Sequence, residues 1–246
     1  MNRRAALPMY DWPEVRAGVD AFWTDLRARS GLMLPEVLER PADEAALLGL
    51  WRDPALALSQ CCWGPMSLGL VPGLRVLAQP DYSDVRGGRG LFYRSALIAR
   101  EGTACPVPDL AGAALPVAVA QVARLAVNAR HSMSGWLALM ADAPCLHERA
   151  AHSDRTGLEI VETGGHRASI RAVAQGRAEL AAIDCRSWAM ALDHEPCARA
   201  LVVVGWTAER PGLPFVTGSA TDDKTARRLR ETLIGMGAHP PQERDA

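Results

Sequence analysis

The sequence has no excess of charge of either sign. Its 246 residues carry 27 Lys and Arg against 28 Asp and Glu, a formal net charge of −1. Without a basic field, binding of nucleic acid through its phosphates is not expected, and neither is attachment of a basic face to a membrane. With 49% hydrophobic and 22% charged residues, the composition is that of a globular chain with a sizeable core.

Long apolar segments are also missing. The longest mostly apolar run, from Gly112 to Val127, is interrupted by Pro116 and Arg124, so we do not expect insertion into a membrane. No apolar segment typical of a signal peptide precedes Asp11. From the residues alone, export and a cytoplasmic location both stay open.

Motifs for metals and common cofactors are absent too. The six cysteines include no C-x-x-C pair, and the spacing of Cys145 and His147 does not favour a metal site. No P-loop, dinucleotide fingerprint or G-x-S-x-G elbow occurs, so we expect no cofactor. A cysteine-dependent enzyme, with Cys61 or Cys185 as nucleophile and His166 as a partner for Cys185, is an alternative that no motif favours.

The second half of the chain alternates between predicted strands and helices of about ten residues. Strands are predicted in RLAVN, LEIVETGG, AELAAID and ALVVVGWT, and helices in SGWLALM, RASIRAVAQG and CRSWAMALDH. This alternation favours an α/β fold with helices on both faces of a sheet. Near the amino terminus, apolar residues from Val15 to Leu26 recur at helical spacing, after Asp11 and Glu14 at capping-box spacing.

Polar residues gather where strands are predicted to end and helices to begin, which is where α/β proteins bind ligands. Ser132, Ser134 and Gly135 mark one such helix start, in a segment that contains no lysine. Backbone N–H groups at a helix start attract an anion without a formal cation, and glycine permits close approach. A plain serine cap would explain only one of the two hydroxyls.

His166 and Asp184 occupy two further junctions of this kind. His166 is suited to donate a hydrogen bond to a ligand oxygen, and equally to a capping or surface position. Asp184 is suited to cap the helix that follows it. Facing an anion, its carboxylate would repel a dianion but accept a hydrogen bond from a protonated oxyanion, and so select protonated phosphate-like groups.

Three segments together resemble the phosphate/phosphite/phosphonate substrate-binding proteins of ABC transporters. They are Tyr93–Arg100, Leu125–Leu139 and Ile160–Gly165, the last continuing into HRASIRAVAQGRAELAAID. LPMYDWPEV and LPFVT are also similar, so the resemblance covers roughly residues 7–220. It implies a type II periplasmic-binding fold of two α/β lobes with a hinge of crossing strands. Lobe one would comprise 1–95 plus 203–246 and lobe two 96–202, with the ligand cleft between them.

The resemblance also implies roles for individual residues. Ser132, Ser134 and the amide of Met133 would receive the oxyanion, while His166 and Asp184 would bond its other oxygens. Tyr10 and Tyr93 would close the cleft from the other lobe and the hinge. Where the family commonly has tyrosine-proline, this sequence has Trp63, which is suited either to the cleft wall or to the core.

The expected function is therefore non-enzymatic binding of phosphate, phosphite or a phosphonate, with hinge closure on the ligand. The resemblance implies a periplasmic location and an ABC transporter permease as a possible partner. One alternative is the same fold binding another small molecule, a thiamine precursor or a sulfonate, by stacking between Trp63 and Tyr93. Another is a cytoplasmic sensor.

Overall fold

The computed structural model describes residues 3–102, 119, 121–152 and 157–241. Twelve strands are named: β1 (Arg4–Ala6), β2 (Leu56–Gln60), β3 (Arg75–Ala78), β4 (Gly88–Arg89), β5 (Phe92–Tyr93), β6 (Ser95–Arg100), β7 (Arg124–Val127), β8 (Glu159–Glu162), β9 (Leu180–Asp184), β10 (Leu201–Trp206), β11 (Arg210–Pro211) and β12 (Phe215–Thr217). The helices are α1 (Arg16–Ser30), α2 (Glu44–Trp51), α3 (Trp63–Ser67), a π-helical turn (Met133–Leu137) that continues as α4 (Ala138–Asp142), α5 (Pro144–Ala151), α6 (His166–Ala174), α7 (Cys185–His194), a 3-10 turn (Pro196–Ala200) and α8 (Asp223–Gly235). Within these ranges, no helix has both the length and the apolar character needed to cross a membrane.

The chain forms two compact units, Met1–Asp81 with Pro211–Ala246, and Tyr82–Arg210. The first contains a four-stranded sheet in the order β1-β2-β12-β3. Ala5 and Ala6 alternate between its two faces. Leu26 of α1 and Leu229 of α8 pack on one face, and Leu50 of α2 packs on the other. This mixed sheet is therefore covered by helices on both sides.

The second unit contains a five-stranded sheet in the order β10-β6-β9-β7-β8. Strand β7 is parallel to β8 and β9, whereas β6 runs antiparallel to β9 and β10. Leu97, Leu125, Leu139 and Leu180 belong to its core. Because of these directions, the carboxyl ends of β7, β8 and β9 and the amino end of β6 share one edge of the sheet.

The borders of the compact units fall at residues 81–82 and 210–211, whereas the sequence placed the lobe borders at 95–96 and 202–203. Within the segment Tyr93–Arg100, Arg94 separates the end of β5 from β6. All of β10 pairs with β6, which in turn pairs with β9, so both strands belong to the second sheet.

The predicted capping box before α1 is wrong. The helix has Val15 at its N-cap with no side-chain capping bond. The Asp11 carboxylate instead lies 2.7 Å from Arg40 Nε and 3.6 Å from Arg16 Nε. The Asp11 carboxylate therefore forms an ion pair with Arg40, which is distant in sequence, and does not cap the helix as the local spacing predicted.

Asp142, the last residue of α4, links this helix to the chain that follows β10. Its Oδ1 accepts a hydrogen bond from Arg210 Nη2 at 2.6 Å, and its Oδ2 accepts one from the Ala208 N–H at 2.7 Å. The Asp142 side chain is only 8% exposed. The end of the helix is therefore held by charge-assisted bonds that are largely shielded from water.

Replacing Asp142 by alanine is expected to lower the free energy of unfolding by about 2–4 kcal/mol, because it leaves a backbone N–H and the Arg210 guanidinium without their acceptor. Asp84→Ala is the matched control: Asp84 pairs with Arg186 at 2.6 Å, but its side chain is 63% exposed, so about 0–1 kcal/mol is expected. Urea unfolding followed by circular dichroism measures both values. Equal losses for the two variants would contradict the interpretation.

Candidate functional site

Three helix starts meet the polar edge of the second sheet. The π-helical turn begins at Met133 after β7, α6 begins at His166 after β8, and α7 begins at Cys185 directly after β9. The carboxyl ends of parallel strands are the usual ligand-binding edge of an α/β sheet, and the first N–H groups of each helix add positive potential there.

Ser132 is the N-cap of the first of these helical segments. Its Oγ accepts a hydrogen bond from the Gly135 N–H at 3.1 Å. Its carbonyl accepts from the amides of both Trp136, at 3.1 Å, and Leu137, at 2.9 Å. The bond to Leu137 is the π-helical one, and such turns occur often at functional sites. The capping interpretation therefore accounts for Ser132, as it did for one serine in the sequence.

Ser134 is not used as a cap in the same way. Its Oγ lies 2.8 Å from His166 Nε2 and 3.4 Å from Ser132 Oγ. Both serines are 3% exposed. The structure thus brings together Ser132, Ser134 and His166 from two segments about thirty residues apart in sequence, and Met133 lies between the two serines.

His166 also contacts Asp184, whose Oδ2 lies 3.3 Å from Nε2. Burial lowers the pKa of His166 below its ordinary value, against an opposing effect of the Asp184 charge, so the ring is neutral near pH 7. An ionised carboxylate only accepts hydrogen bonds, and it therefore favours the tautomer with the proton on Nε2. Shared between Asp184 and Ser134, this proton leaves the Ser134 hydroxyl hydrogen to point elsewhere.

Asp184 caps a helix, as its position suggested, and also faces His166. Its Oδ1 accepts a hydrogen bond from the Ser187 N–H at 3.0 Å and so caps α7, while Oδ2 faces the histidine. The side chain is almost fully buried, with the residue 2% exposed. A buried carboxylate at the site means that a bound anion must bring a hydrogen-bond donor to it or be repelled.

The helix that carries His166 is anchored at some distance from the site. Glu195 Oε2 accepts hydrogen bonds from Arg167 Nε and Arg171 Nε, each at 2.8 Å. Burial alone would raise the pKa of Glu195, but these hydrogen bonds outweigh it and hold the pKa below its ordinary value. The network fixes α6 against the end of α7, and with it the position of the imidazole.

Asn128 contributes in a way that sequence reasoning missed. Its Oδ1 occupies the space that a Cβ on Gly135 would need, and a side chain there would clash with it. Glycine at 135 therefore permits the close approach of Asn128 rather than of a ligand alone. The sequence does show an asparagine directly after a predicted strand and a glycine at a predicted helix start. That these two residues contact each other depends on the tertiary fold and could not be predicted.

Of the three aromatic candidates, Tyr93 belongs to the second unit, and Tyr10 and Trp63 belong to the first. Tyr93 is 1% exposed, and its ring pairs with Tyr82 at a centroid distance of 5.7 Å. Trp63, in the first unit, donates its indole N–H to the Gly212 carbonyl at 2.7 Å. Tyr10 lies half-buried in the loop before α1, also in the first unit. Contact of these rings with a ligand stays a prediction.

The Ser134–His166–Asp184 set does not have the geometry of a catalytic triad. In a triad the serine bonds one imidazole nitrogen and the carboxylate bonds the other. Here both oxygens lie beside Nε2, and Nδ1 is buried without a hydrogen bond in the described part of the chain. One nitrogen cannot at once accept the serine proton and donate to the carboxylate, so the arrangement is suited to holding oxygen atoms.

The cysteine-nucleophile alternative finds no support in the thiols. Cys61 and Cys185 are both buried. Burial raises the pKa of Cys61 well above its ordinary value and that of Cys185 to about 12. Both remain thiols at neutral pH, and the thiolate is the nucleophilic form. Among the described residues, no group of three His, Cys, Asp or Glu side chains is placed to hold a metal ion.

A known family model matches most of this chain. The family model described as "ABC transporter, phosphonate, periplasmic substrate-binding protein" matches residues 66–246. The sequence matches no curated protein. The fold is similar to that of PhnD1 from Prochlorococcus marinus in complex with methylphosphonate, with a TM-score of 0.70 and 16% identity over 94% of this chain and 83% of that one.

Two more solved structures are similar. A binding protein component of an ABC phosphonate transporter from Pseudomonas aeruginosa gives a TM-score of 0.67 and 17% identity over 93% of this chain and 72% of that one. A Xanthomonas citri protein bound to a chloride ion gives 0.66 and 16% over 100% and 94%. These similarities confirm the predicted periplasmic-binding-protein fold.

Gly135→Ala is expected to lower the free energy of unfolding by about 1–3 kcal/mol, since the new methyl group must displace Asn128. Adding Asn128→Ala should recover most of this loss by removing the clashing oxygen. Gly49→Ala, in the open interior of α2, is the control and should be neutral or stabilising. Thermal and urea unfolding of these three variants and of the wild type measure the effect. A Gly135→Ala protein as stable as wild type would refute the close contact.

Proposed function

The chain belongs to the family of periplasmic substrate-binding proteins of phosphonate ABC transporters, and from this premise we propose that it binds a small phosphonate or a closely related phosphorus oxyanion at the polar edge of its second unit. The observation that carries the proposal is the convergence of Ser134, His166 and Asp184. The Ser134 hydroxyl and the Asp184 carboxylate lie 2.8 and 3.3 Å from His166 Nε2, where three helices begin.

Hydroxyl and amide groups supply the positive side of this proposed site. With the proton on His166 Nε2, Ser134 Oγ accepts from it, and the hydroxyl hydrogen is left for Ser132 Oγ at 3.4 Å or for a ligand oxygen. The amide of Met133 lies in the first turn of the helical segment that follows the Ser132 cap, and such amides attract anions. A phosphorus oxyanion offers several acceptor oxygens to donors of this kind.

Asp184 determines which ionisation state is bound. A phosphonate monoanion keeps one P–O–H group, which can donate to the carboxylate, whereas a dianion has none and is repelled. The protein is thus proposed to select the singly protonated form. Neutral His166 adds no charge that would compensate a dianion.

Ligand binding is proposed to be read out by closure of the two units around the ligand, with Tyr10, Trp63 and Tyr93 near it, and by delivery to an ABC transporter permease. The family is periplasmic, and we propose the same location for this chain. Stacking of a thiamine precursor between Trp63 and Tyr93 is less favoured, because Tyr93 is buried against Tyr82 and the Trp63 N–H is bonded to Gly212.

Ser134→Ala and His166→Ala are each expected to weaken methylphosphonate binding about ten- to hundredfold, the loss of about 1.5–3 kcal/mol from one charge-assisted hydrogen bond. Isothermal titration calorimetry with methylphosphonate and with phosphate measures the affinities. Ser59→Ala is the control, since Ser59 is equally buried but bonds the Trp51 indole in the first unit. Wild-type affinity in both site variants would defeat the assignment.

Methylphosphonate affinity is expected to fall about tenfold per pH unit above the second ionisation of the ligand, because only the monoanion donates to Asp184. The lowered pKa of His166 means that the ring is already neutral throughout that range and contributes no change. Asp184→Asn keeps an acceptor for the Ser187 N–H but removes the charge, so its affinity should lose this decline. Calorimetry between pH 6 and 9 tests the point, and identical profiles would contradict it.

A further inference from the structure

Ser95, the first residue of β6, has a buried hydroxyl that makes no hydrogen bond within the described part of the chain. The residue is 0% exposed, and its Oγ has no partner there. Its backbone, in contrast, is fully used: the Ser95 N–H donates to Thr207 Oγ1 at 2.8 Å, and its carbonyl accepts from the Thr207 N–H at 3.0 Å. Buried hydroxyl groups nearly always form hydrogen bonds, so a buried hydroxyl without one requires an explanation.

The register of the sheet places this hydroxyl beside the proposed site. Ser95 is directly opposite Asp184 in the antiparallel pairing of β6 with β9. Both backbone groups of Ser95 point towards Thr207 on its other side, which makes Ser95 and Asp184 a non-hydrogen-bonded pair. The side chains of such pairs lie on the same face of the sheet and are close together, with Cβ atoms about 4.5–5.5 Å apart.

A ring nitrogen of His166, which contacts Asp184, is also buried without a hydrogen-bond partner among the described residues. His166 Nδ1 makes no hydrogen bond within the described residues, although Nε2 of the same ring contacts both Ser134 and Asp184. Two residues next to Asp184, Ser95 on the paired strand and His166 in contact with the carboxylate, therefore each have a polar atom without a partner among the described residues. Such a pair is expected where a polar molecule binds.

We propose that Ser95 is a further ligand-contacting residue, whose hydroxyl donates to an unprotonated oxygen of the phosphorus oxyanion while Asp184 accepts from the protonated one. The inference rests on the proposed function. It gives the site one donor and one acceptor side by side, matched to the two kinds of oxygen in a monoanion. Ser95 thereby offsets, for the monoanion, part of the repulsion that the carboxylate exerts.

The test compares Ser95→Ala, Ser134→Ala and the control Ser59→Ala by calorimetry with methylphosphonate and by thermal unfolding without ligand. Ser95→Ala is expected to lower the affinity about ten- to hundredfold. Its unfolding temperature without ligand should not fall, because the hydroxyl makes no hydrogen bond to the described residues. Ser59→Ala should behave in the opposite way, losing stability but not affinity, since its hydroxyl bonds Trp51.

The outcomes separate this inference from the function on which it rests. If Ser134→Ala weakens binding but Ser95→Ala binds like wild type, Ser95 is not a ligand contact and the proposed function stands. If wild-type protein binds neither methylphosphonate nor phosphate, the proposed function itself fails. A loss of unfolding temperature in Ser95→Ala as large as that of Ser59→Ala would show a structural hydroxyl. Should Ser95→Ala not fold, Ser95→Cys, of similar size but a weak donor, carries the same comparison.

Discussion

The carboxylate of Asp184 lies at the end of β9 almost without exposure to water, and a buried carboxylate costs several kcal/mol unless hydrogen bonds compensate it. The first turn of α7 supplies one such bond through the Ser187 amide, and Nε2 of His166 lies 3.3 Å from the other carboxylate oxygen. Because the carboxylate only accepts, it determines which nitrogen of His166 carries the proton. That in turn decides which way the Ser134 hydroxyl hydrogen points. One charge thus sets the direction of hydrogen bonds across three helix starts.

Much of this cluster could be predicted from the sequence because it follows from the geometry of parallel strands. Polar residues directly after apolar segments, such as Ser132 and Asp184, must lie at one sheet edge when those segments form parallel strands. The choice between a cap and a binding residue could not be made from sequence, and the structure shows why: Asp184 has two oxygens, one for the helix and one for the histidine.

What the sequence did not predict depends on partners far along the chain. The Asp11 carboxylate pairs with Arg40 instead of capping α1, and the Trp63 indole bonds the carbonyl of Gly212. Ser95 gained significance only through its register opposite Asp184, a pairing between strands about ninety residues apart. Local periodicity contains no information about such contacts, since they are decided when the sheets assemble.

The Met133–Asp142 helical segment has Ser134, whose hydroxyl is proposed to bind the ligand, near one end and Asp142 at the other. Hydrogen bonding makes a helix stiff along its axis, and this one spans about 15 Å. Asp142 accepts hydrogen bonds from Ala208 and Arg210, which lie immediately before the chain leaves the second unit. Arg210 is the last residue of the second unit, so the bonds of Asp142 join the helical segment that carries Ser134 to the point where the chain leaves that unit.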